Sequence, residues 1–417
     1  MNKQQNINQL PKDWKWVKLG EVCHTTSGGT PSRRELKYYN GNIPWVKSGE
    51  LDKGIITDTE EKISEEAIKN SSAKIFPKGT LLIALYGATI GKLAFLGVDA
   101  ATNQAICGIY QNEKISSSFL YNYLFYKKRK LVGQGIGGAQ PNISQTILKD
   151  LDLPLPPKPT QQVIVSKIEE LFSELDKGIE NLRTAQQQLK TYRQSVLKWA
   201  FEGKLTNENV KEGELPKGWK WVLINEIGRI KGGKRLPPKH QYSQELTDFV
   251  YIMAGNLKDG TVRNKSTFIT EETYNALANY KVTGGEVYIT IVGACIGDAG
   301  IIPENIGKSI LTENAAKIIE LKETYNKYLA LWINSTICQA NIKSKILSAT
   351  LGKLALNRIG TLEVPIAPIT EQHNIVEEIE SRLSVADKME ESITQSLQQA
   401  EALRQSILKK AFEGKLI

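Results

Sequence analysis

Two stretches of the chain repeat apolar or small residues at alternating spacings of four and three, and they predict two long helices. The first lies within residues 156–206, and its stripe consists of Ile164, Ile168, Leu171, Leu175, Gly178, Leu182, Ala185, Leu189, Tyr192, Val196 and Trp199. The second lies within residues 367–417, and its looser stripe consists of Ile375, Ile379, Ala386, Met389, Ile393, Ala400, Leu403 and Ile407. This spacing is typical of the seam of a left-handed coiled coil.

Both stretches are bounded by residues that start or stop a helix. A proline-rich segment precedes each one, and Thr160 and Thr370 are the predicted N-caps. Each stretch ends in Phe-Glu-Gly-Lys-Leu, where Gly203 or Gly414 can adopt the left-handed conformation that terminates a helix.

The remaining residues contain shorter apolar runs, such as 80–86 and 287–292, separated by Gly, Asn and Pro. Runs of this length predict short strands joined by loops, with some helix. The pattern therefore predicts an α+β protein in which mixed α/β domains alternate with long helices.

The chain contains one unit twice. Residues 10–22 are similar to residues 215–227, and residues 192–205 match residues 403–416 at eleven of fourteen positions. We therefore predict four parts in order: a mixed α/β domain at 1–155, a helical spacer at 156–206, a second domain at 207–366 and a second spacer at 367–417.

A long helix with one apolar stripe needs a partner to cover that stripe. The two spacers can cover each other, so we predict that they pair antiparallel within the chain, with the repeats related by a pseudo-two-fold axis. Two alternatives stay open: each helix packs on its own domain, or it pairs with another chain.

Charge and cysteine usage narrow the class of protein. Lys and Arg number 54 against 45 Asp and Glu, giving a net charge of +9, so a polyanion is the first partner to consider. No apolar run approaches the roughly 18 residues of a membrane span, and the first residues lack a secretory leader. The four cysteines are far apart in the sequence, which favours a reducing cytoplasm.

A set of motifs in fixed order then points to a family. They are LPKDWKWVKLGEV at 10–22, SGGTPSRR at 27–34, GNIPWVKSGEL at 41–51, YGATIGK at 86–92, ATNQAI at 101–106 and GGAQPNISQTILKDLDLPLPP at 137–157. With the duplication, they resemble the specificity (S) subunits of type I restriction-modification enzymes over essentially the whole chain. The second copy departs from the pattern at 230–240, 250–257 and 348–357.

The resemblance implies a protein without chemistry of its own. Two target-recognition domains would each read half of a bipartite, asymmetric site in double-stranded DNA. Two adenine-N6 methyltransferase subunits, carrying S-adenosylmethionine, would dock on the helical spacers, and two motor-nuclease subunits would complete the complex.

Candidate DNA contacts follow from residue type and from these motifs, because backbone N–H groups and Arg suit phosphates while Arg, Gln and Asn suit base edges. In the first domain they are Ser27, Gly28, Thr30, Ser32, Arg33, Arg34, Lys92, Gln140 and Asn142. In the second domain they are Lys231, Lys234, Arg235, Lys239, Lys353 and Asn357. The alternative is that the Gly-Gly-Thr-Pro segment is an ordinary surface turn.

Three further features have open interpretations. Residues 126–130 are densely basic and suit either phosphates or a solvated helix end. Residues 133–138 match GxGxxG, yet Pro141 follows too soon for a dinucleotide site, so a DNA-side loop or a plain connector is favoured. The repeated pairs Trp14/Trp16 and Trp219/Trp221 favour packing over base stacking.

No catalytic or metal site is predicted. The Asn-Pro-Pro or Asp-Pro-Pro motif of amino-methyltransferases is absent, as is the phosphate loop GxxxxGK[ST], and the three histidines are isolated. Two other hypotheses remain: a modification enzyme with a cryptic site, and a structural coiled-coil adaptor that binds DNA nonspecifically.

Overall fold

The computed structural model describes residues 10–133, 142–207, 209–211, 213–346 and 352–417 of the 417-residue chain. It separates into two compact units. The first comprises the described residues up to Leu182 together with Gln395–Ile417, and the second comprises Arg183–Thr394. Each unit contains one mixed α/β domain, here called a head, together with parts of two long helices.

The first head contains eleven strands and four helices among its described residues. The strands are β1 (Lys15–Lys18), β2 (Thr25–Ser27), β3 (Ile43–Val46), β4 (Ile55–Ile56), β5 (Glu61–Ile63), β6 (Ile75–Phe76), β7 (Leu81–Ala84), β8 (Leu93–Leu96), β9 (Ala100–Thr102), β10 (Ile106–Ile109) and β11 (Asp152–Leu155). The helices are α1 (Leu19–Val22), α2 (Glu65–Lys69), α3 (Ser117–Gly133) and α4 (Gln145–Lys149), and the long helix α5 (Lys158–Phe201) follows.

Two sheets form the core of the first head. Their strand orders are β2-β10-β7-β8-β4 and β5-β3-β9-β6. The pairs are antiparallel except β3 with β9 and β4 with β8. Every residue of β7 is buried, which explains why this strand is an uninterrupted apolar run in the sequence.

The second head repeats this plan. Its strands are β12 (Lys220–Leu223), β13 (Arg229–Gly232), β14 (Phe249–Ile252), β15 (Leu257–Lys258), β16 (Thr261–Val262), β17 (Lys281–Val282), β18 (Val287–Thr290), β19 (Ala299–Ile301), β20 (Lys308–Leu311), β21 (Ala315–Ile319) and β22 (Glu363–Ile366). Its helices are α6 (Ile224–Ile227), α7 (Glu271–Ala276), α8 (Asn326–Ile333), α9 (Thr336–Lys345) and α10 (Leu356–Gly360), and the long helix α11 (Ile369–Phe412) follows. The sheets run β13-β21-β18-β19 and β14-β20-β17, with β15 and β16 as a hairpin.

The repeated motif at the start of each head meets the proline-rich segment at its end. Strand β1 pairs antiparallel with β11, placing Trp16 opposite Pro154, and β12 pairs with β22, placing Trp221 opposite Pro365. A two-stranded sheet tolerates these prolines because an edge strand leaves one row of backbone groups unpaired. This small sheet leads directly into each long helix.

Helices α5 and α11 are each 44 residues long, about 66 Å at 1.5 Å per residue. They begin at Lys158 and Ile369, so Thr160 and Thr370 lie inside the first turn and their prediction as N-caps is wrong. Both helices end as predicted, since Gly203 and Gly414 adopt φ values of 73° and 69°.

Within each unit the two helices run antiparallel. In the first unit, Arg404 of α11 pairs with Asp176 of α5 and lies 4.7 Å from the ring centre of Phe172. In the second unit, Arg193 of α5 pairs with Asp387 and Glu390 of α11 at 2.7 and 3.0 Å. The predicted architecture of mixed α/β domains with antiparallel long helices is confirmed, and the helices pair within the chain.

The seam follows the prediction at most positions along both helices and is displaced by one residue at a few of them. Residues Ile164, Ile168, Val196, Ile379 and Ile407 are buried, and Leu171, Leu175, Leu182, Leu189 and Ile393 are half-buried. The prediction is wrong for Met389 and Leu403, which are 52 % and 51 % exposed, and Arg404 lies inward beside Leu403. Gly178, Tyr192 and Trp199 are likewise exposed, with Ile179, Arg193 and Ala200 turned inward. A helix of 3.6 residues per turn drifts relative to a seven-residue repeat, which displaces the contact face.

A buried glutamine joins each head to the start of its long helix. In the first unit, Gln161 Oε1 accepts a hydrogen bond from the Ser116 amide at 2.7 Å, and Nε2 donates to the carbonyls of Lys114 and Pro156 at 3.0 and 2.9 Å. Both glutamines, Gln161 and Gln372, are fully buried.

Gln372 makes the same three bonds in the second unit. Its Oε1 accepts from the Tyr325 amide at 2.8 Å, and its Nε2 donates to the carbonyls of Glu323 and Ala367 at 3.0 and 2.8 Å. A buried amide with every strong bond satisfied fixes the angle at which the helix leaves the head.

The last turn of each long helix packs into a head. Phe201 meets Tyr328 and Trp332 edge-on at 5.1 Å in the second unit. Phe412 meets Phe119 and Tyr123 edge-on at 5.3 and 4.9 Å in the first unit. The Phe-Glu-Gly-Lys-Leu motif is therefore a core element as well as a helix stop.

No helix in the described ranges is both long enough and apolar enough to cross a membrane.

Candidate nucleic-acid interface

In the first head, the predicted DNA-contacting loop follows β2. A Cβ at Gly28 would lie 2.0 Å from Thr102 Oγ1, and a Cβ at Gly29 would lie 2.3 Å from the Ser72 carbonyl carbon. These two positions require glycine because other backbone passes too close. Both glycines are buried, so they serve close packing of the backbone, which neither the DNA-contact prediction nor the alternative of an ordinary surface turn had included.

An aromatic side chain holds this loop in place. The Trp45 indole Nε1 donates to the Gly29 carbonyl at 3.1 Å, and the Tyr39 hydroxyl donates to the Pro31 carbonyl at 2.6 Å. Trp45 is itself 2 % exposed, so the loop is attached directly to the core. The side chains between these two attachments project from a fixed backbone.

Arg33 is engaged by protein groups. Its Nη1 and Nη2 donate to the Glu61 carboxylate at 2.5 and 3.2 Å, and its guanidinium lies 4.2 Å from the Tyr39 ring centre. Hydrogen bonding to Glu61 raises the pKa of Arg33 above its usual value. Arg33 would have to leave Glu61 to read a guanine, whereas Ser32 and Arg34 are exposed.

The loop after β2 and the segment before α4 are brought together. Gln145, the first residue of α4, donates from Nε2 to Ser27 Oγ, and Asn142 forms a bridge with Tyr86. Lys92, in the same hairpin as Tyr86, pairs with Asp52 at 2.5 Å. The predicted residue Gln140 and most of the GxGxxG match lie outside the described residues.

In the second head, the equivalent loop follows β13 and is held in the same way. A Cβ at Gly233 would lie 1.9 Å from the Thr312 carbonyl oxygen, so this position also requires glycine. The Tyr251 hydroxyl donates to the Lys234 carbonyl at 2.6 Å, as Trp45 does to Gly29. The two heads thus share one loop attachment made by different aromatic residues.

The side chains on this second loop are mostly basic. Arg235 Nε donates to Glu313 Oε1 at 2.9 Å, and Lys234 Nζ lies 5.9 Å from the Tyr280 ring centre. Lys231 is half-buried on β13, while Lys239 is exposed.

Lys353 and Asn357 lie next to the second loop. Lys353 forms a bridge with Val292, and Leu356 at the start of α10 lies 3.2 Å from where a Cβ on Gly232 would be. Asn357 is exposed one residue further along. In both heads, therefore, the two segments predicted to contact DNA are neighbours in space.

Glu313 is a fixed carboxylate. Its Oε2 accepts from the Thr312 hydroxyl at 3.0 Å, in addition to the bond from Arg235 to Oε1. The Tyr251 hydroxyl, which donates its hydrogen mainly to the Lys234 carbonyl, lies 3.2 Å from the same Oε2. Partial burial acts to raise the pKa of Glu313, and the hydrogen bonds outweigh it, so that pKa lies below its usual value.

The basic run lies at the end of α3 and is partly packed. Lys127 Nζ lies 4.5 Å from the Tyr126 ring centre, and burial lowers the pKa of Lys127, followed by the effect of Lys130. Trp14 and Trp219 are buried, consistent with packing. Trp16 and Trp221 are about half exposed, and Trp221 packs against the buried Trp332 with ring centres 5.8 Å apart.

Sequence reasoning missed the residues that fix the loops and the heads. They are Trp45, Tyr251, Gln104, Glu313, Gln161 and Gln372. The two glutamines stand at the same offset as the repeated prolines, so comparing the copies position by position would have found them. Trp45 and Tyr251 differ in type, and only their shared hydrogen bond shows their equivalence.

In the described ranges, no three or more His, Cys, Asp or Glu side chains lie close enough together to hold a metal ion. Cys23, Cys107 and Cys338 are buried, and Cys295 is exposed.

Comparison with known proteins identifies the family. The family described as "Type I restriction modification DNA specificity domain" matches residues 11–183 and again residues 216–399. The type I restriction enzyme EcoBI specificity subunit of Escherichia coli is 28% identical, covering 99% of this chain and 89% of that protein. The MjaIX specificity subunit of Methanocaldococcus jannaschii is 30% identical, covering 79% of this chain and 74% of that protein.

Solved structures share the fold. A chain from a study of complex assembly and conformational transition of the type I R-M system aligns with a TM-score of 0.78 at 19% identity, covering 98% of this chain and 100% of that chain. The HsdS subunit from Thermoanaerobacter tengcongensis aligns with a TM-score of 0.63 at 20% identity, covering 99% of both chains.

Proposed function

Because the chain belongs to the type I restriction modification DNA specificity family, we propose that it is the sequence-reading subunit of a type I restriction-modification complex. Each head reads one half of a bipartite, asymmetric site in double-stranded DNA. The observation that carries this proposal is the loop fixed identically in both heads, by Trp45 on Gly29 and by Tyr251 on Lys234, with different side chains on each loop. A shared frame with different exposed groups suits two different half-sites.

Base reading needs side chains that are held in register while their polar ends stay accessible. Both heads meet this requirement at the loop and at the neighbouring helix, α4 or α10. The alternative of a coiled-coil adaptor with nonspecific DNA binding is less well supported, because the family match covers both heads and not only the helices.

The partner enzymes dock on the long helices in this proposal. In the second unit, Tyr192 of α5 and Val385 and Met389 of α11 line one exposed groove. Exposed apolar groups gathered in a groove mark interaction surfaces. We assign this groove to an adenine-N6 methyltransferase subunit, two of which bind the chain, and two motor-nuclease subunits complete the complex.

Catalysis belongs to those partners. S-adenosylmethionine is carried by the methyltransferase subunits, and this chain supplies recognition and scaffolding. Titration calorimetry of the purified chain with S-adenosylmethionine should therefore give no binding heat. A measurable stoichiometric titration would support the cryptic-enzyme hypothesis and contradict this assignment.

The direct experiment is co-expression of the full chain with the adenine methyltransferase subunit encoded beside it. Methylated adenines in host DNA are then mapped by direct sequencing. We expect a split motif, two short half-sites with a fixed gap and a methylated adenine in each. Methylation at one continuous motif would contradict the two-head proposal, and no methylation despite co-purification would contradict the reading function.

The docking surface is tested separately. The double variant Val385→Asp with Met389→Asp should lower the co-purifying methyltransferase from two subunits per chain to one, because two charges would be buried in an apolar contact. Ser384→Asp, an exposed neighbour, is the matched control. Unchanged co-purification of the double variant would show that the groove is not the docking site.

A further inference from the structure

One pair of contacting residues occupies the same place in both heads and differs in chemistry. In the first head, Thr30 Oγ1 donates to Gln104 Oε1, and in the second head Arg235 Nε donates to Glu313 Oε1 at 2.9 Å. In the first head, the pair joins the loop after β2 to the turn before β10. In the second head, the pair joins the loop after β13 to the turn before β21.

The backbone shows that these positions are equivalent. The Gly28 amide donates to the Ile106 carbonyl at 3.0 Å, and the Gly233 amide donates to the Ala315 carbonyl at 2.9 Å. Thr30 and Arg235 each lie two residues after these glycines, and Gln104 and Glu313 each lie two residues before the acceptors. Each pair therefore lies on the same backbone frame.

The geometry of the second pair leaves one edge of the guanidinium exposed. Glu313 holds Nε of Arg235, and in the described part of the chain no bond to either Nη nitrogen is present. The Arg235 side chain is 80% exposed. Thr312 fixes Glu313 in turn, with the Tyr251 hydroxyl beside it, so the guanidinium is oriented by a carboxylate that cannot easily rotate.

Arg33 in the first head is the instructive contrast. Both of its Nη nitrogens are bonded to Glu61, so its two-nitrogen edge faces protein. Arg235 is held through Nε alone and presents the paired Nη donors outward. Paired donors of this kind match the O6 and N7 acceptors of guanine in the major groove.

In the first head, the two positions equivalent to Arg235 and Glu313 are the uncharged residues Thr30 and Gln104. Gln104 is exposed, and Thr30 occupies only one of the two lone pairs on its Oε1. A glutamine amide offers one donor and one acceptor, the pattern that matches N7 and N6 of adenine.

We propose that Arg235, positioned by Glu313, reads a guanine in the second half-site, and that Gln104 with Thr30 reads an adenine at the corresponding place in the first. The proposal rests on the sequence-reading function proposed above and adds to it the residues and the bases. Arg235 is the contact residue, and Glu313 is a positioning residue.

The experiment uses the full chain co-expressed with its methyltransferase subunit, with methylated adenines mapped as before. The complex is also titrated with duplexes that carry single base changes. Arg235→Ala should remove the preference for guanine at one position of the second half-site, a loss of about 10- to 100-fold in discrimination. The first half-site should be unchanged, and it reports within the same molecule that the protein is folded and active.

Two variants separate the roles of the pair. Arg235→Lys keeps the charge without the two-nitrogen edge, so overall affinity should stay near normal while the guanine preference falls. Glu313→Gln should relax the same base preference with little change in salt dependence, because a positioning residue neutralises no phosphate. A uniform loss of affinity with the motif unchanged would assign Arg235 to phosphate binding and overturn the proposal.

The matched control is Arg263, an exposed arginine of the same head that pairs with Asp259 at 2.9 Å. Arg263→Ala should leave the motif unaltered. In the reverse direction, Thr30→Arg combined with Gln104→Glu should introduce a guanine preference into the first half-site.

The two proposals fail in different ways. If wild type gives no split motif, the sequence-reading function is wrong. If wild type gives the split motif and Arg235→Ala leaves it unaltered, the function stands and the base assignment is wrong, with the Arg235–Glu313 pair being structural only.

Discussion

The first head holds its loop with an indole, and the second holds the equivalent loop with a phenol. Trp45 and Tyr251 have different sizes and different donor atoms, yet both donate to a loop carbonyl one residue after a close-packed glycine. Thr30 and Arg235 occupy equivalent positions on these loops, but one carries a neutral hydroxyl and the other a cationic guanidinium. The comparison teaches that the heads keep a hydrogen bond to the backbone rather than a residue type, which leaves the exposed side chains free to differ.

Where the heads join the long helices, by contrast, even the residue type is kept. Gln161 and Gln372 each serve one amide donor and two carbonyl acceptors of the main chain. Only a primary amide of this length supplies an acceptor and two donors at once. Equivalent substitutions at Gln161 and Gln372 are therefore expected to cause equal losses of stability. A substitution at a loop attachment is expected to affect only the head that carries it.

The largest effect is expected at these joints. Gln161→Leu and Gln372→Leu each leave one buried and two part-buried backbone groups without their side-chain partner, so each should cost about 2–4 kcal/mol of unfolding free energy. Urea denaturation gives the total, and hydrogen exchange with mass spectrometry gives the loss in each unit. Gln162→Leu, at an exposed neighbouring position, is the control. A loss confined to one of the two variants would break the equivalence of the joints.

The helix ends should give the next largest effect. Gly203→Ala and Gly414→Ala force a left-handed backbone on alanine, at about 1–2 kcal/mol. Their Cβ atoms would also lie 2.1 Å from Pro216 Cγ and 2.3 Å from Pro11 Cγ. Gly178→Ala is a control of opposite sign, since it lies inside α5 with open space around it and should stabilise by about 0.5–1 kcal/mol. Thermal unfolding of all three variants checks the signs, and a stabilised Gly203→Ala would contradict the model of the helix ends.

The loop attachments should give smaller, local effects. Trp45→Phe and Tyr251→Phe each remove the donor to one loop carbonyl, and the lost hydrogen bond alone should cost about 1 kcal/mol. Trp45→Phe adds a cavity cost because Trp45 is buried, so the comparison of the two variants uses the exchange of the loop amides rather than total stability. Hydrogen exchange should accelerate in the loop of the mutated head and stay unchanged in the other head. Trp16→Phe, a replacement at an exposed position, controls for the loss of an indole. Faster exchange in both heads would show that the loops are coupled.

The prediction with the smallest expected effect on stability concerns the cysteines. The two heads differ in the reactivity of their thiols, because the exposed cysteine lies in the second head. Burial raises the pKa of Cys23 to about 11 and those of Cys107 and Cys338 to about 12, so these thiols carry almost no thiolate at pH 8. Exposed Cys295 lies between β18 and β19, in the second head.

Thiol titration at pH 8 should therefore find one fast-reacting group in the native chain and four after denaturation. Cys295→Ser should abolish the fast reaction. More than one fast thiol in the native chain would contradict the burial of the other three.

The duplication, the long helices and the short buried strands were predictable because each leaves a period or a repeat in the sequence. The exposure of Gly178, Tyr192 and Trp199 in the predicted stripe of α5 was not, since a seven-residue repeat and a helix of 3.6 residues per turn diverge with length. The ion pair of Arg33 with Glu61 was also out of reach, because it needs both the attachment of the Arg33 loop to Trp45 of β3 and the pairing of β3 with β5. Long-range contacts of this kind leave no local pattern.

The insertion of Phe412 among Phe119, Tyr123 and Tyr126 has a consequence for synthesis on the ribosome. The second head receives Phe201 from residues already made when its own strands emerge, so its core is complete once the first turns of α11, with Ile375 and Ile379, have followed it. The first head must wait for α11, made about 10–40 s after Phe201 at ordinary elongation rates. The head that is translated first is thus the head that completes its core last, because the place of Phe412 stays unfilled in the interval.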